Sequence, residues 1–123
     1  MPIPIIRLFT GEDGESHFES TTVETIPHGD VVVMSDLQDC HEVQFAETNS
    51  GGGYDWHTAP RRQYVITLTG TLEFTNRLGD TQIIRPGDIL LAEDTTGGGH
   101  KWKLIDDQPW RRCYVHLEQD TST

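Results

Sequence analysis

From residue 41 to residue 117 the chain is a succession of short apolar and β-branched runs, cut at even intervals by Gly, Pro, Asn and Asp. That rhythm excludes most folds, because runs this short cannot make helices of useful length and must bury themselves as strands. The expected strands are His41–Glu47, Gln63–Thr69, Thr71–Phe74, Thr81–Ile84, Ile89–Ala92, His100–Ile105 and Trp110–Leu117. Asn76–Asp80 reads as a hairpin loop, and Pro86-Gly87-Asp88 and Asp106–Pro109 read as turns. Upstream, Ile5–Phe9 and His17–Ile26 extend the pattern around the turn cluster Thr10–Glu15, and Pro27-His28-Gly29-Asp30 breaks it. Residues 31–40 (VVVMSDLQDC) are ambiguous between strand and loop, Gln119–Thr123 reads as a tail, and no repeat or second domain is visible. The expectation is one all-β domain over residues 1–123, a sandwich or jelly roll.

Composition narrows the partners. The 123 residues are 34% apolar and include three Trp, four Phe and three Tyr, enough to fill one small barrel. No stretch reaches the roughly 20 apolar residues of a membrane helix, and the start MPIPIIRLF is neither long nor basic enough for a signal peptide. A cytosolic location follows as the default. Twenty acidic residues against nine Lys and Arg give a net charge of −11, a surface that repels phosphate backbones and anionic lipid. Nucleic acid and membrane are therefore not expected partners. Cys40 and Cys113 have no CxxC spacing and read as reduced, packed thiols.

The most informative segment is Gly51 to Gly70, GGGYDWHTAPRRQYVITLTG, in which a glycine loop, one histidine and a Pro-Arg-Arg bend lead into an apolar strand. Arg85-Pro86-Gly87-Asp88-Ile89-Leu90-Leu91 follows, then the loop Glu93–Gly99 and His100. The two segments together resemble the paired motifs of the cupins, over about residues 40–118. Gly51, His57, Gln63 and Gly70 fall in register with the first motif, and His100 matches the last metal histidine of the second. The resemblance implies a double-stranded β-helix, the jelly-roll barrel of that family, with a divalent metal (Mn, Fe, Ni or Zn) inside it. This sequence departs from the pattern at two ligand positions: Ala59 stands in place of a histidine and Gln63 in place of a glutamate. Glu93 replaces the usual proline, and its loop is longer than the family's by about two residues.

The resemblance and the chemistry of imidazole, a common ligand for such metals, point to His57, His100 and Gln63 as the candidate metal set. An amide oxygen is a weaker donor than a carboxylate, so Asp55, Glu93 and Asp94 are weighed as nearby replacements and His116 as a further nitrogen. Asp94 reads more simply as a turn cap and Asp55 as a strand-end surface residue; His17, His28 and His41 read as surface or structural. Strand alternation puts His100, Trp102 and Leu104 on one face and Lys101 and Lys103 on the other. Arg61 and Arg112, one from each arginine pair, are candidate clamps for an anionic substrate, because a guanidinium is a rigid fork of donors. Trp56, Trp102 and Tyr114 complete the candidate substrate-binding wall. The glycine triplets Gly51–Gly53 and Gly97–Gly99 read as mobile rims of a pocket.

Two functions fit this set. One is a metal-dependent enzyme acting on a small organic metabolite, anionic if an arginine faces inward; the other is a metal-free protein that binds or senses a small acid or sugar derivative without catalysis. A homodimer is expected as well. Both faces of Tyr64–Leu68 are apolar, and Ile3–Phe9 reads as an exposed edge that a second copy could cover.

Overall fold

A computed structural model describes residues 2–118 of the chain; the tail read at Gln119–Thr123 lies outside them. The described residues form twelve strands: β1 Ile3–Thr10, β2 Ser16–Val23, β3 Ile26–His28, β4 Val32–Met34, β5 Glu42–Thr48, β6 Gly53–His57, β7 Gln63–Thr69, β8 Leu72–Asn76, β9 Thr81–Ile84, β10 Ile89–Glu93, β11 His100–Leu104 and β12 Trp110–His116. No helix among them is long and apolar enough to cross a membrane. The ambiguous stretch after Asp30 resolves into β4, which pairs with β3 across a turn at Gly29.

Two sheets carry the fold. One has six strands in the order β2-β1-β10-β7-β12-β5, the other four in the order β6-β11-β8-β9. Only β1 and β10 run parallel; the remaining pairs are antiparallel. Leu8, Val65, Leu90 and Trp110 from the larger sheet meet Leu72, Phe74, Ile84 and Leu104 from the smaller in one apolar core. Aromatic edges organise its centre, with Trp102 and Phe74 each set edge-on against Trp110. The chain has an all-β jelly-roll architecture, one of the two that the strand rhythm allowed and the one that the motif resemblance implied.

Local chemistry fixes the corners. At Pro86-Gly87 the chain needs a positive φ after proline, which Gly87 supplies at 92°, while the Asp88 carboxylate accepts a 2.7 Å bond from the Arg85 amide. In the β8–β9 hairpin, Asn76 is buried and its side-chain oxygen accepts from the amides of Leu78 and Asp80. Its amide nitrogen donates to the Ser16 carbonyl, tying this loop to β2.

Three expectations need correction here. Strand β1 is no edge, since it lies between β2 and β10. Cys40 is exposed rather than packed. The Gly97–Gly99 loop is wedged in place: the Gly98 amide donates to the Gly14 carbonyl at 2.9 Å, and a Cβ on Gly99 would fall 2.3 Å from the His57 carbonyl oxygen. Glycine is there for close approach of backbones, not for mobility. Gly53 likewise pairs in register with Lys103.

Candidate functional site

Between the sheets lies a cavity of about 220 Å³ whose lining includes His57, Arg61, Gln63, His100, Trp102, Tyr114 and His116, with Gln44 at its side. The four-stranded sheet supplies His57 from β6 and His100 from β11, which stand opposite each other in register. Their ring centroids are 4.4 Å apart. The six-stranded sheet supplies Gln63 and His116, paired in register on β7 and β12, and Arg61 enters from the bend that precedes β7. Alternation worked as expected: His100 and Leu104 are buried and Lys101 and Lys103 exposed.

Each histidine is held by a partner that decides its tautomer. The Asp55 carbonyl can only accept, so His57 donates to it from Nδ1 at 2.7 Å and a neutral ring keeps its Nε2 lone pair. Burial, then the His100 ring, lowers the His57 pKa against the opposing pull of the Asp55 bond, which favours that neutral form. His100 Nδ1 meets the Asp94 carboxylate at 2.5 Å, and the Ser16 hydroxyl donates to the same oxygen at 2.6 Å. Arg61 has donors only, so His116 Nδ1 must accept from its Nη1 at 3.0 Å, leaving the proton on Nε2. Burial, and next the Arg61 charge, push the His116 pKa down as well.

Asp94 is the residue that sequence reading misplaced most. It is no turn cap but a fully buried carboxylate whose Oδ2 receives Ser16 and His100 and whose Oδ1 has no hydrogen-bond partner among the described residues. No local signal marked it, since its partners lie 78 and 6 positions away. Glu93, also weighed as a ligand, faces out of the cavity and binds Arg7 and Arg62. Burial tends to raise its pKa, but the bonds from Arg62 and Arg7 prevail and hold it below the usual carboxylate range. Asp55 accepts from the Trp56 amide.

Two of the candidate substrate residues are placed elsewhere. Trp56 is turned away from the cavity, with the Arg77 guanidinium 3.9 Å and the Lys101 ammonium 5.1 Å from its ring centroid. Its neighbour His57 points in, so alternation along β6 had to turn Trp56 out. Arg112 is buried beside the cavity and committed to the fold: it donates to Tyr114 Oη, Thr48 Oγ1 and the Trp110 carbonyl and lies over the Trp110 ring at 3.9 Å. Arg61, Trp102 and Tyr114 do line the cavity.

The sequence matches no protein-family model and none of the curated proteins. The fold does match solved structures. It resembles the cupin domain of Schizosaccharomyces pombe Cnp3 with a TM-score of 0.55 at 12% identity, over 95% of this chain and 88% of that one. It also resembles a cupin 2 conserved barrel domain protein from Salinispora arenicola CNS-205, with a TM-score of 0.51 at 15% identity over 69% of each chain. The fold is therefore that of a small cupin, and identities this low carry the fold alone.

Proposed function

We propose that this cupin binds a small organic anion in the cavity between its sheets. One observation carries the reading. Among the described residues lining the cavity are an arginine and three histidines but no Asp or Glu, in a chain with 20 acidic residues. A guanidinium in a low-dielectric wall attracts an anion far more strongly than the screened outer surface repels it. In a thermal-shift and calorimetric screen, small carboxylates should stabilise the protein, and Arg61→Gln should remove that effect. Stabilisation by neutral compounds alone would overturn the reading.

The donor set does not fit the four-ligand metal centre of the fold family. Ala59 has no donor and Gln63 is a neutral amide. Among the described residues no three His, Cys, Asp or Glu side chains gather as a group that could hold a metal ion. A second, enzymatic reading has its own support in the His57–His100 pair, since both rings present Nε2 with Nδ1 held by an oxygen, the orientation that imidazole ligands of metals adopt. Titration with Mn, Fe(II), Ni and Zn, beside a His57→Ala/His100→Ala variant, separates the two. Saturable binding lost in the variant favours the enzyme; equal binding by both, or by neither, favours the metal-free pocket.

The same proposal includes a homodimer. Val43, Phe45 and Leu68 are exposed on the outer side of β5 and β7, an apolar patch that a second copy would cover. Sedimentation equilibrium at micromolar concentration should give twice the chain mass, and a monomer would remove the argument.

A further inference from the structure

The hairpin β3–β4 is the part of the fold that the barrel leaves unused. It pairs with no further strand among the described residues, and every residue from Ile26 to Met34 is exposed. A two-stranded ribbon is marginal in water and needs a third strand or a packed face to complete it. Its two free edges differ. Pro27 sits in the middle of β3, opposite Val33; a proline fits there only with its nitrogen facing away from the paired strand, so the free edge of β3 lacks a donor. The free edge of β4 has no such block. Val31-Val32-Val33-Met34 carries neither proline nor charge, in a chain of net charge −11. We infer that β4 is a pairing edge, and that the strand it receives is the β4 of a second copy of this chain, antiparallel about a two-fold axis near Val33.

Three observations select a second copy as the occupant. The run is apolar throughout, so antiparallel pairing with itself sets apolar against apolar, the self-complementarity that a two-fold contact requires. The hairpin also leads onto the patch proposed as the dimer contact: the Tyr64 hydroxyl donates to Gln38 at 2.6 Å, and Tyr64 shares the outer face of β7 with Leu68 by alternation. The area suffices. The six large apolar side chains exposed over residues 26–37 and the three of the patch are each 40% exposed or more, together on the order of the 800 Å² that each partner gives to a stable interface. Asp30 and Asp36 bracket the run, so like charges approach at its ends and added salt should tighten the pairing. The inference rests on the homodimer reading and adds a strand-to-strand contact to it.

The test is sedimentation of the full chain over a concentration series. Val33→Lys and Val33→Glu should each weaken dimerisation about tenfold, since each sets two like charges face to face between apolar strands. An equimolar mixture of the two variants should recover the dimer, because opposite charges then meet. Circular dichroism should show both variants folded, since β4 takes no part in the core. Hydrogen exchange on the unaltered chain gives an independent reading: the amides of residues 31–35 should slow as concentration rises through the dimer range. A monomer at micromolar concentration would overturn the homodimer reading and this inference together. A dimer that both variants retain, or exchange at 31–35 that stays fast at every concentration, would overturn the inference alone and leave the patch on β5 and β7 as the contact. Loss of the dimer in both variants without recovery on mixing would also overturn it, because β4 would then meet a different surface of the second copy.

Discussion

The two faces of β7 and β12 depart from the usual arrangement of a soluble sheet. The inner face mixes polar groups with the core residues Val65 and Trp110: Gln63, Thr67, Arg112 and His116 are all buried there. Trp110 Nε1 donates to Thr67 Oγ1 at 3.2 Å, and Arg112 donates to three oxygens. On the outer face, by contrast, Leu68 is 51% exposed, and on the neighbouring β5 Val43 and Phe45 are 55% and 74% exposed. Buried polar groups persist only where partners offset their desolvation, whereas exposed apolar ones cost little until something covers them. The inner face is thus specified by paired hydrogen bonds, while the outer leaves apolar side chains exposed.

Breaking the inner face should have the largest effect. Trp110→Ala removes the ring that packs against Trp102, Phe74 and Arg112, and urea denaturation should show a loss of about 3–5 kcal/mol. Asp94→Ala leaves Ser16 and His100 without their shared acceptor; the expected loss is about 1–3 kcal/mol, and a melting temperature unchanged from the unaltered chain would show that this buried carboxylate is not structural.

Acid sharpens the comparison next. The pKa values of His57 and His116 are lowered in the folded protein, so the unfolded chain takes up their protons first as pH falls through about 6.5. Stability should begin to fall there and continue until the folded rings are themselves protonated, and His116→Gln should flatten the profile. Glu93, whose folded pKa is depressed, adds stability above its unfolded pKa of about 4.3 that is lost as pH falls further, so Glu93→Gln should flatten only the more acidic part of a stability curve followed by circular dichroism.

The smallest stability effect belongs to the outer face. Phe45→Ser with Leu68→Ser should change the unfolding free energy of each chain by no more than about 0.5 kcal/mol per site while shifting the sedimentation mass toward the monomer. A large loss of stability with no change in mass would reverse the contrast between the faces.

Strand positions were legible because period-2 alternation and turn chemistry are local. Gln63–Thr69 and Thr81–Ile84 fall where the sequence put them, and Pro86-Gly87-Asp88 makes its turn. The convergence of His57 and His100 in one cavity could also be read, from the paired motifs and the alternation of β11. Asp94, the Arg61–His116 contact and the outward turn of Trp56 beside Arg77 could not, because each depends on which distant strand lies alongside.

Arg61 and Arg112 show where the division falls. By itself the sequence determined an all-β sandwich or jelly roll, since hydrophobic period, glycine turns and proline act within a few residues of themselves, and its resemblance to the paired cupin motifs implied the jelly roll and a pocket histidine on each motif. Which arginine faces the cavity and which is locked over Trp110 was decided only in the tertiary structure. A guanidinium goes where acceptors and ring faces surround it, and those are contributed by strands that meet only when the sheet closes.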